Sequence, residues 1–89
     1  MKYLITASEI RFRVLWCGLS TVDHALRFEI VNSTMMNVLS VFMNQAETQK
    51  LTYIFDEQET VYDGFTQFKG IEQSVKGTIT VALMKEEIT

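Results

Sequence analysis

Cys17 and His24 are the residues best suited to nucleophilic chemistry, and they are the single cysteine and single histidine of this chain. They lie on either side of a short loop, Gly18–Asp23, so a turn there would bring them close together. The same positions also fit the end of one strand and the start of the next, where a lone cysteine usually acts as a small apolar filler. We therefore predict no catalytic residue and no enzymatic activity.

Side chains that could bind a metal are too few or wrongly spaced. Structural zinc needs about four Cys or His ligands, and this chain has one of each. The acidic run Asp56, Glu57, Glu59 and Asp63 lacks the alternating spacing and the glycine of a calcium loop. It is more typical of a solvated hairpin tip. The glycines are isolated and form no phosphate-binding loop, so we expect no metal and no cofactor.

The charge balance argues against a nucleic-acid partner. Eleven acidic and eight basic residues give a net charge of −3, and the basic residues are scattered along the chain. Four aromatic side chains could stack on bases, but only Lys50 and Lys69 lie near them: Tyr53, Tyr62, Phe65 and Phe68. Positions in the core or in a protein interface are the better interpretation of these aromatic residues.

Length and composition favour one folded domain that spans residues 1–89. The chain is 47% hydrophobic and 21% charged, which is too apolar for a disordered protein. Glu9, Arg11 and Arg13 interrupt the apolar start, so we expect neither a signal peptide nor a membrane span. A single cysteine fits a reducing compartment. We expect a protein that stays in the cytoplasm or joins an assembly made there, with no membrane or small-molecule partner.

Alternating apolar and charged residues predict two strands in the first third of the chain. Residues 10–17 turn four apolar side chains to one side: Ile10, Phe12, Val14 and Trp16. Residues 24–31 repeat the pattern with Leu26, Phe28 and Ile30. Opposite charges favour a hairpin that pairs Trp16 with Leu26, because Arg13 then faces Glu29. An earlier strand over residues 2–6 is also expected.

The pattern changes to a helical period after three capping residues, Asn32, Ser33 and Thr34. Five apolar residues then follow at helical spacing and predict an amphipathic helix over residues 34–45: Met35, Val38, Leu39, Phe42 and Met43. Strands are predicted at 51–55, 60–69 and 78–84, with turns at 56–59 and 73–77 and a solvated tail at 85–89. The last of these strands turns Ile79, Val81 and Leu83 to one face. Gly64 predicts a bulge or bend inside the second of these strands.

The element order β(β)β-α-βββ has short connections, which favour antiparallel pairing. We therefore predict an α+β fold, mainly an antiparallel twisted sheet or a partly closed barrel, with one amphipathic helix packed on it. In the strand predicted at 60–69, Tyr62 and Phe68 share one face while Val61 and Phe65 share the other. A strand that is apolar on both faces needs a second cover, either from the curled sheet or from another subunit.

Residues 26–84 also resemble a group of small proteins from phages and prophages of Gram-positive gut bacteria, encoded among virion structural genes. The resemblance rests on the strand LRFEI, the helix STMMNVLSVF, the strand and acidic turn LTYIFDEQE, the segment VYDGFTQFKGI and the final strand TITVAL. Its most distinctive part is Tyr62–Thr66, and residues 1–20 do not take part in it.

The resemblance implies a non-enzymatic virion component, associated with the tail or baseplate, that acts by assembling with copies of itself or with other virion proteins. Seven residues are then candidates for the protein interface: Tyr62, Phe65, Phe68, Asp56, Glu57, Glu59 and Asp63. The three aromatic residues are expected to serve either as contacts or as core. The alternative is a phage-encoded inhibitor of a host defence system, similar to anti-CRISPR proteins, which would present the four acidic residues as one charged face.

Overall fold

The computed structural model describes residues 1–86, and residues 87–89 of the predicted tail lie outside the described part. Within it, Lys85 and Glu86 are exposed, as predicted for the tail. The chain forms seven strands and two short helices: β1 (Lys2–Ile5), β2 (Arg11–Leu19), β3 (Leu26–Ile30), α1 (Met35–Phe42), α2 (Gln45–Thr48), β4 (Lys50–Phe55), β5 (Gln58–Asp63), β6 (Gln67–Gln73) and β7 (Ile79–Met84).

All seven strands belong to one open sheet in the order β5-β4-β1-β2-β3-β7-β6. Every neighbouring pair is antiparallel, which confirms the predicted antiparallel sheet. The strands β5 and β6 form its two edges, although they follow each other in the chain. The fold is therefore mainly β, and the early strand predicted over residues 2–6 is present as β1.

The core lies on the sheet face that α1 covers, which we call the inner face. Phe42 of α1 is almost fully buried, and its ring centroid is 5.0 Å from that of Phe12 and 4.9 Å from that of Phe28. Alternate residues of β3 and β7 complete this face with no more than 1% of their surface exposed: Leu26, Phe28, Ile30, Ile79, Val81 and Leu83. The alternation predicted for these two strands is confirmed. We call the opposite face of the sheet the outer face.

A bulge in β2 overturns the predicted hairpin register. Residues 11–13 pair with β1 and residues 14–19 pair with β3, and the register shifts between Val14 and Trp16. The extra residue reverses the alternation, so Trp16 turns to the outer face opposite Glu29 and is 39% exposed. Leu19, rather than Trp16, faces Leu26. The inward position predicted for Ile10 is also wrong, because Ile10 precedes the strand and is 37% exposed.

The helix predicted over residues 34–45 is present in its first part only. Thr34 caps α1 as expected, because its side chain accepts a hydrogen bond from the backbone N–H of Asn37. The helix ends at Phe42, and Asn44 caps the separate helix α2 by accepting from the N–H of Ala46. Met43 is consequently 60% exposed and is not on the apolar face predicted for it.

The strand predicted over residues 60–69 is two strands joined by a corner at residues 64–66. Gly64 has a φ of +81°, a backbone angle that favours glycine, so the predicted bend is confirmed. Two other boundaries differ from prediction. His24 lies in a turn with φ of 59° rather than in a strand, and the turn after β4 is shorter than residues 56–59. Within residues 1–86, no helix is long and apolar enough to cross a membrane.

Candidate functional site

The hairpin of β4 and β5 ends in a turn of two residues, Asp56 and Glu57. Their φ angles are 54° and 65°, and Phe55 pairs with Gln58 on either side of them. Two positive φ angles define the turn type whose twist matches that of the flanking strands. The hairpin is therefore regular over its whole length, with six consecutive residue pairs.

The hydrogen-bonding phase of this hairpin determines which backbone groups of β5 are free. In an antiparallel ladder alternate pairs are hydrogen-bonded, beginning with the pair that flanks a two-residue turn. Gly64 follows this phase, because its N–H donates to the carbonyl oxygen of Gln49 at 2.9 Å. Even-numbered residues thus turn their N–H and C=O groups toward β4. Glu59, Val61 and Asp63 turn theirs away from it, and we call these groups the free edge of β5.

The free edge is accessible from solvent. Five of the six residues of β5 are exposed, Tyr62 being the exception, and Val61 is 46% exposed. Within residues 1–86, no backbone group outside the β4–β5 ladder forms a hydrogen bond with the N–H or C=O groups of Glu59, Val61 and Asp63. An exposed, unpaired strand of this kind can bind a strand from another chain through main-chain hydrogen bonds.

The four predicted acidic residues are all exposed but do not form one cluster. Asp56 and Glu57 are at the hairpin tip, and Glu59 lies next to them on the outer face. Asp63 is at the other end of β5, opposite Lys50. In the part of the chain that the structure describes, none of the four has a Lys or Arg within salt-bridge distance. Within residues 1–86 these carboxylates therefore form no ion pair, and Asp63 alone has a cationic residue opposite it in the ladder.

The three predicted aromatic residues belong to the core side of the sheet. Phe65 is only 5% exposed, and its ring contacts the half-buried Tyr62 edge-on with 6.0 Å between centroids. Phe68 is half-buried and packs against the core. Desolvation raises the pKa of the Tyr62 hydroxyl, with a smaller contribution from Cys17. These three side chains therefore lie on the inner face of the sheet and are not part of the free edge of β5.

The strand with two apolar faces, predicted from these aromatic residues, is not present. The corner at Gly64 reorients the chain, so Phe65 turns to the core together with Tyr62 and Phe68. Among the apolar residues of this segment, Val61 remains on the outer face of β5, where it is 46% exposed. Apart from Val61, the large apolar side chains of this segment therefore pack against the core, and the main exposed feature is the backbone edge.

Cys17 and His24 show no geometry of a catalytic pair. Cys17 is half-buried on β2 and burial raises the pKa of its thiol to about 12, so the thiol is protonated near pH 7. His24 is exposed in the turn, and no hydrogen bond joins the two side chains. Within residues 1–86, no three His, Cys, Asp or Glu side chains converge as a metal site would require.

A polar cluster on the outer face was not predicted from the sequence. The indole N–H of Trp16 donates to Glu29 Oε1 at 2.8 Å, and the Thr78 hydroxyl donates to Glu29 Oε2. Both hydrogen bonds lower the pKa of Glu29, and the bond from Thr78 has the larger effect. The bulge in β2 creates the cluster because it turns Trp16 outward. A bulge has no reliable sequence signal here, since the alternation around Leu15 reads as one unbroken strand.

Comparisons of this chain with protein-family models, with curated proteins and with solved structures find no match.

Proposed function

We propose that this protein is a non-enzymatic phage virion component, associated with the tail or baseplate, that acts by protein–protein assembly through the free edge of β5. The partner is another protein subunit, either a copy of the chain or a different virion protein. The protein then occupies the host cytoplasm before it joins the virion. It uses no cofactor and binds neither nucleic acid, nor membrane, nor a small-molecule substrate.

The observation that carries the proposal is the unpaired and exposed backbone of β5. Sheet edges in monomeric proteins are usually shortened, bulged, charged or covered. β5 carries charged residues, but it is regular over six residues and five of them are exposed. The resemblance of residues 26–84 to phage structural proteins supports a virion as the assembly that the protein joins. The fold suits this function as an α+β domain in which α1 is the amphipathic helix and the β4–β5 hairpin is the binding element.

Substituting Val61 by Pro tests the proposal directly. Proline removes the N–H that Val61 turns to the free edge, while the ladder with β4 keeps its bonds. We expect the purified protein to form a discrete oligomer, or to bind virion proteins from the same phage, and Val61→Pro to abolish that association. Size-exclusion chromatography with light scattering over a range of concentrations, together with pull-down, measures both.

The matched control is Val75→Pro, which also replaces an exposed valine. Val75 follows Ser74 in the turn before β7, where the N–H of Gly77 donates to the carbonyl oxygen of Ser74. This is the turn position that favours proline, so we expect the control to assemble normally. A wild-type protein that stays monomeric and binds no virion protein would refute the proposal.

The exposed acidic residues support a second candidate function, inhibition of a host defence enzyme in the manner of anti-CRISPR proteins. Asp56, Glu57 and Glu59 lie together at the hairpin tip without an ion pair in the described part of the chain. Such a tip would bind the basic nucleic-acid groove of an enzyme, and binding would weaken steeply with salt. Capture of a nuclease by the wild type, lost in a variant with Asp56→Lys and Glu57→Lys, would favour this function over virion assembly.

A further inference from the structure

Building on the proposed function, we infer that the free edge of β5 binds an extended segment of a different protein with the pattern basic–x–apolar–x–basic, which adds to the sheet as an eighth strand. The three residues that carry the free backbone groups also carry the outward side chains of β5: Glu59, Val61 and Asp63. They present an acidic, an apolar and an acidic side chain in a row.

The pattern of the partner follows from strand geometry. Residues directly opposite each other in an added strand lie about 4.5–5.5 Å apart at Cβ and on the same face. A Lys or Arg opposite Glu59, an apolar residue opposite Val61 and a Lys or Arg opposite Asp63 would satisfy all three positions. Because the row has the same pattern of charge in both directions, the pattern expected of the partner does not depend on the direction in which the segment runs.

The residues of β4 that lie opposite β5 leave the negative charge of Glu59 without a cationic partner. On the β4 side, Glu59 faces Ile54 and Val61 faces Thr52, so only Asp63 has a cationic residue, Lys50, in the opposite position. No salt bridge forms to either acidic residue within residues 1–86. A basic strand on the free side would therefore gain favourable pairs at both ends.

The same charges disfavour a second copy of β5 as the occupant. A two-fold pairing centred on Val61 sets Glu59 opposite Asp63 twice, and a pairing centred on Thr60 sets Asp63 opposite Glu57. Like charges directly opposite each other are unfavourable. The other edge of the sheet is also a poor occupant, because β6 is bulged between Phe68 and Gly70.

A blocked heptapeptide, Thr-Lys-Thr-Val-Thr-Lys-Thr, is the probe that tests the inference. Titrated into the ¹⁵N-labelled full chain, it should shift the amide signals of Glu59, Val61 and Asp63 in a saturable manner, and the affinity should fall with added salt. The peptide with both lysines replaced by glutamate should not bind. Glu59→Lys should weaken binding of the basic peptide by about fivefold or more.

The matched control is Glu72→Lys, which makes the same charge change at an exposed position of β6 and should leave binding unchanged. Equal weakening by both variants would reduce the effect to net charge and overturn the inference. Absence of peptide binding would also overturn it, and would assign the acidic residues to protecting the edge against self-pairing.

The two proposals fail in distinguishable ways. If Val61→Pro abolishes assembly but the basic peptide does not bind, the edge is the interface and the inferred chemistry of its partner is wrong. If the peptide binds at the edge but Val61→Pro leaves assembly intact, the inference holds and the proposed function loses its site. Glu59→Lys keeps every backbone group, so it provides the binding test even if Val61→Pro fails to fold.

Discussion

The two edges of this sheet differ in how firmly the core holds them. β6 is bulged, and two of its side chains, Phe68 and Ile71, pack against the core. β5 is regular and places only Tyr62 against the core. Their neighbours differ in the same sense, since β7 buries three side chains completely whereas β4 buries one, Leu51, and ends in Phe55, which is 47% exposed.

This difference separates the part of the sheet that stabilises the fold from the part that is free to bind. Burial of apolar surface is the dominant favourable term in folding, and it concentrates around β3, β7 and α1. The β4–β5 hairpin contributes less burial and ends in charged residues. A strand held mainly by backbone hydrogen bonds to one neighbour can present its other edge without strain.

The largest expected effect comes from Phe65→Ala, which removes the buried ring at the corner between the two edges. Because Phe65 is 5% exposed and contacts Tyr62, its loss should lower the free energy of unfolding by about 3–4 kcal/mol. Urea denaturation measures this value. The control Phe55→Ala, at the exposed end of β4, should cost less than about 1 kcal/mol. Similar losses in both variants would contradict the burial assigned to Phe65.

A second pair of variants compares the edges themselves. Ile71→Ala in β6 removes a side chain that packs against the core and should cost about 2 kcal/mol. Val61→Ala in β5 removes a side chain that is 46% exposed and should cost about 0.5 kcal/mol. Thermal and urea unfolding of both variants give the comparison. Equal losses would mean that β5 is anchored as firmly as β6.

The strands and caps that could be predicted are those specified by local pattern. β3 and β7 alternate strictly and have the predicted inward faces, and Thr34 caps α1 because a hydroxyl at that point satisfies a free N–H. The antiparallel order follows from short connections. These features depend on residues that are neighbours in the sequence.

The features that could not be predicted depend on distant residues. The register of β2 is determined by two partners at once, β1 and β3, and the bulge at Leu15 accommodates both. Phe65 turns inward because the corner at Gly64 connects the two edges of the sheet. The acidic residues of the candidate site were predicted to be exposed, but the free edge between them depends on strand order, which local pattern does not specify.

A smaller effect is expected from the carboxylate of Glu29, which lies on β3 in the part of the sheet that buries most apolar surface. Hydrogen bonds from Thr78 and Trp16 lower its pKa in the folded protein, so the unfolded chain binds the proton more readily. The stabilisation is therefore present above the ordinary pKa of a glutamate and is lost as the pH falls through the lowered value. Glu29→Gln should flatten the acid side of the stability curve. Because solvent screens this partly exposed carboxylate, its loss should cost less than about 1 kcal/mol at pH 7.

Urea denaturation of this variant between pH 3 and pH 7 measures the change. Trp16→Phe keeps the carboxylate and the Thr78 bond but removes the indole donor, so it should give an intermediate acid slope. An unchanged slope in Glu29→Gln would contradict the assignment of the lowered pKa to this cluster.

The smallest effect on stability is expected at the free edge. Glu59 is exposed, faces Ile54 and has no ion pair within the described residues, so Glu59→Gln should change the free energy of unfolding by less than about 0.5 kcal/mol. The same variant should bind the basic heptapeptide about two- to fivefold more weakly, because one cross-strand charge pair is lost. We expect a side chain that matters for binding and not for folding on β5, the edge strand that packs fewer side chains against the core. A loss of stability above about 1 kcal/mol without a loss of binding would place Glu59 among the structural residues instead.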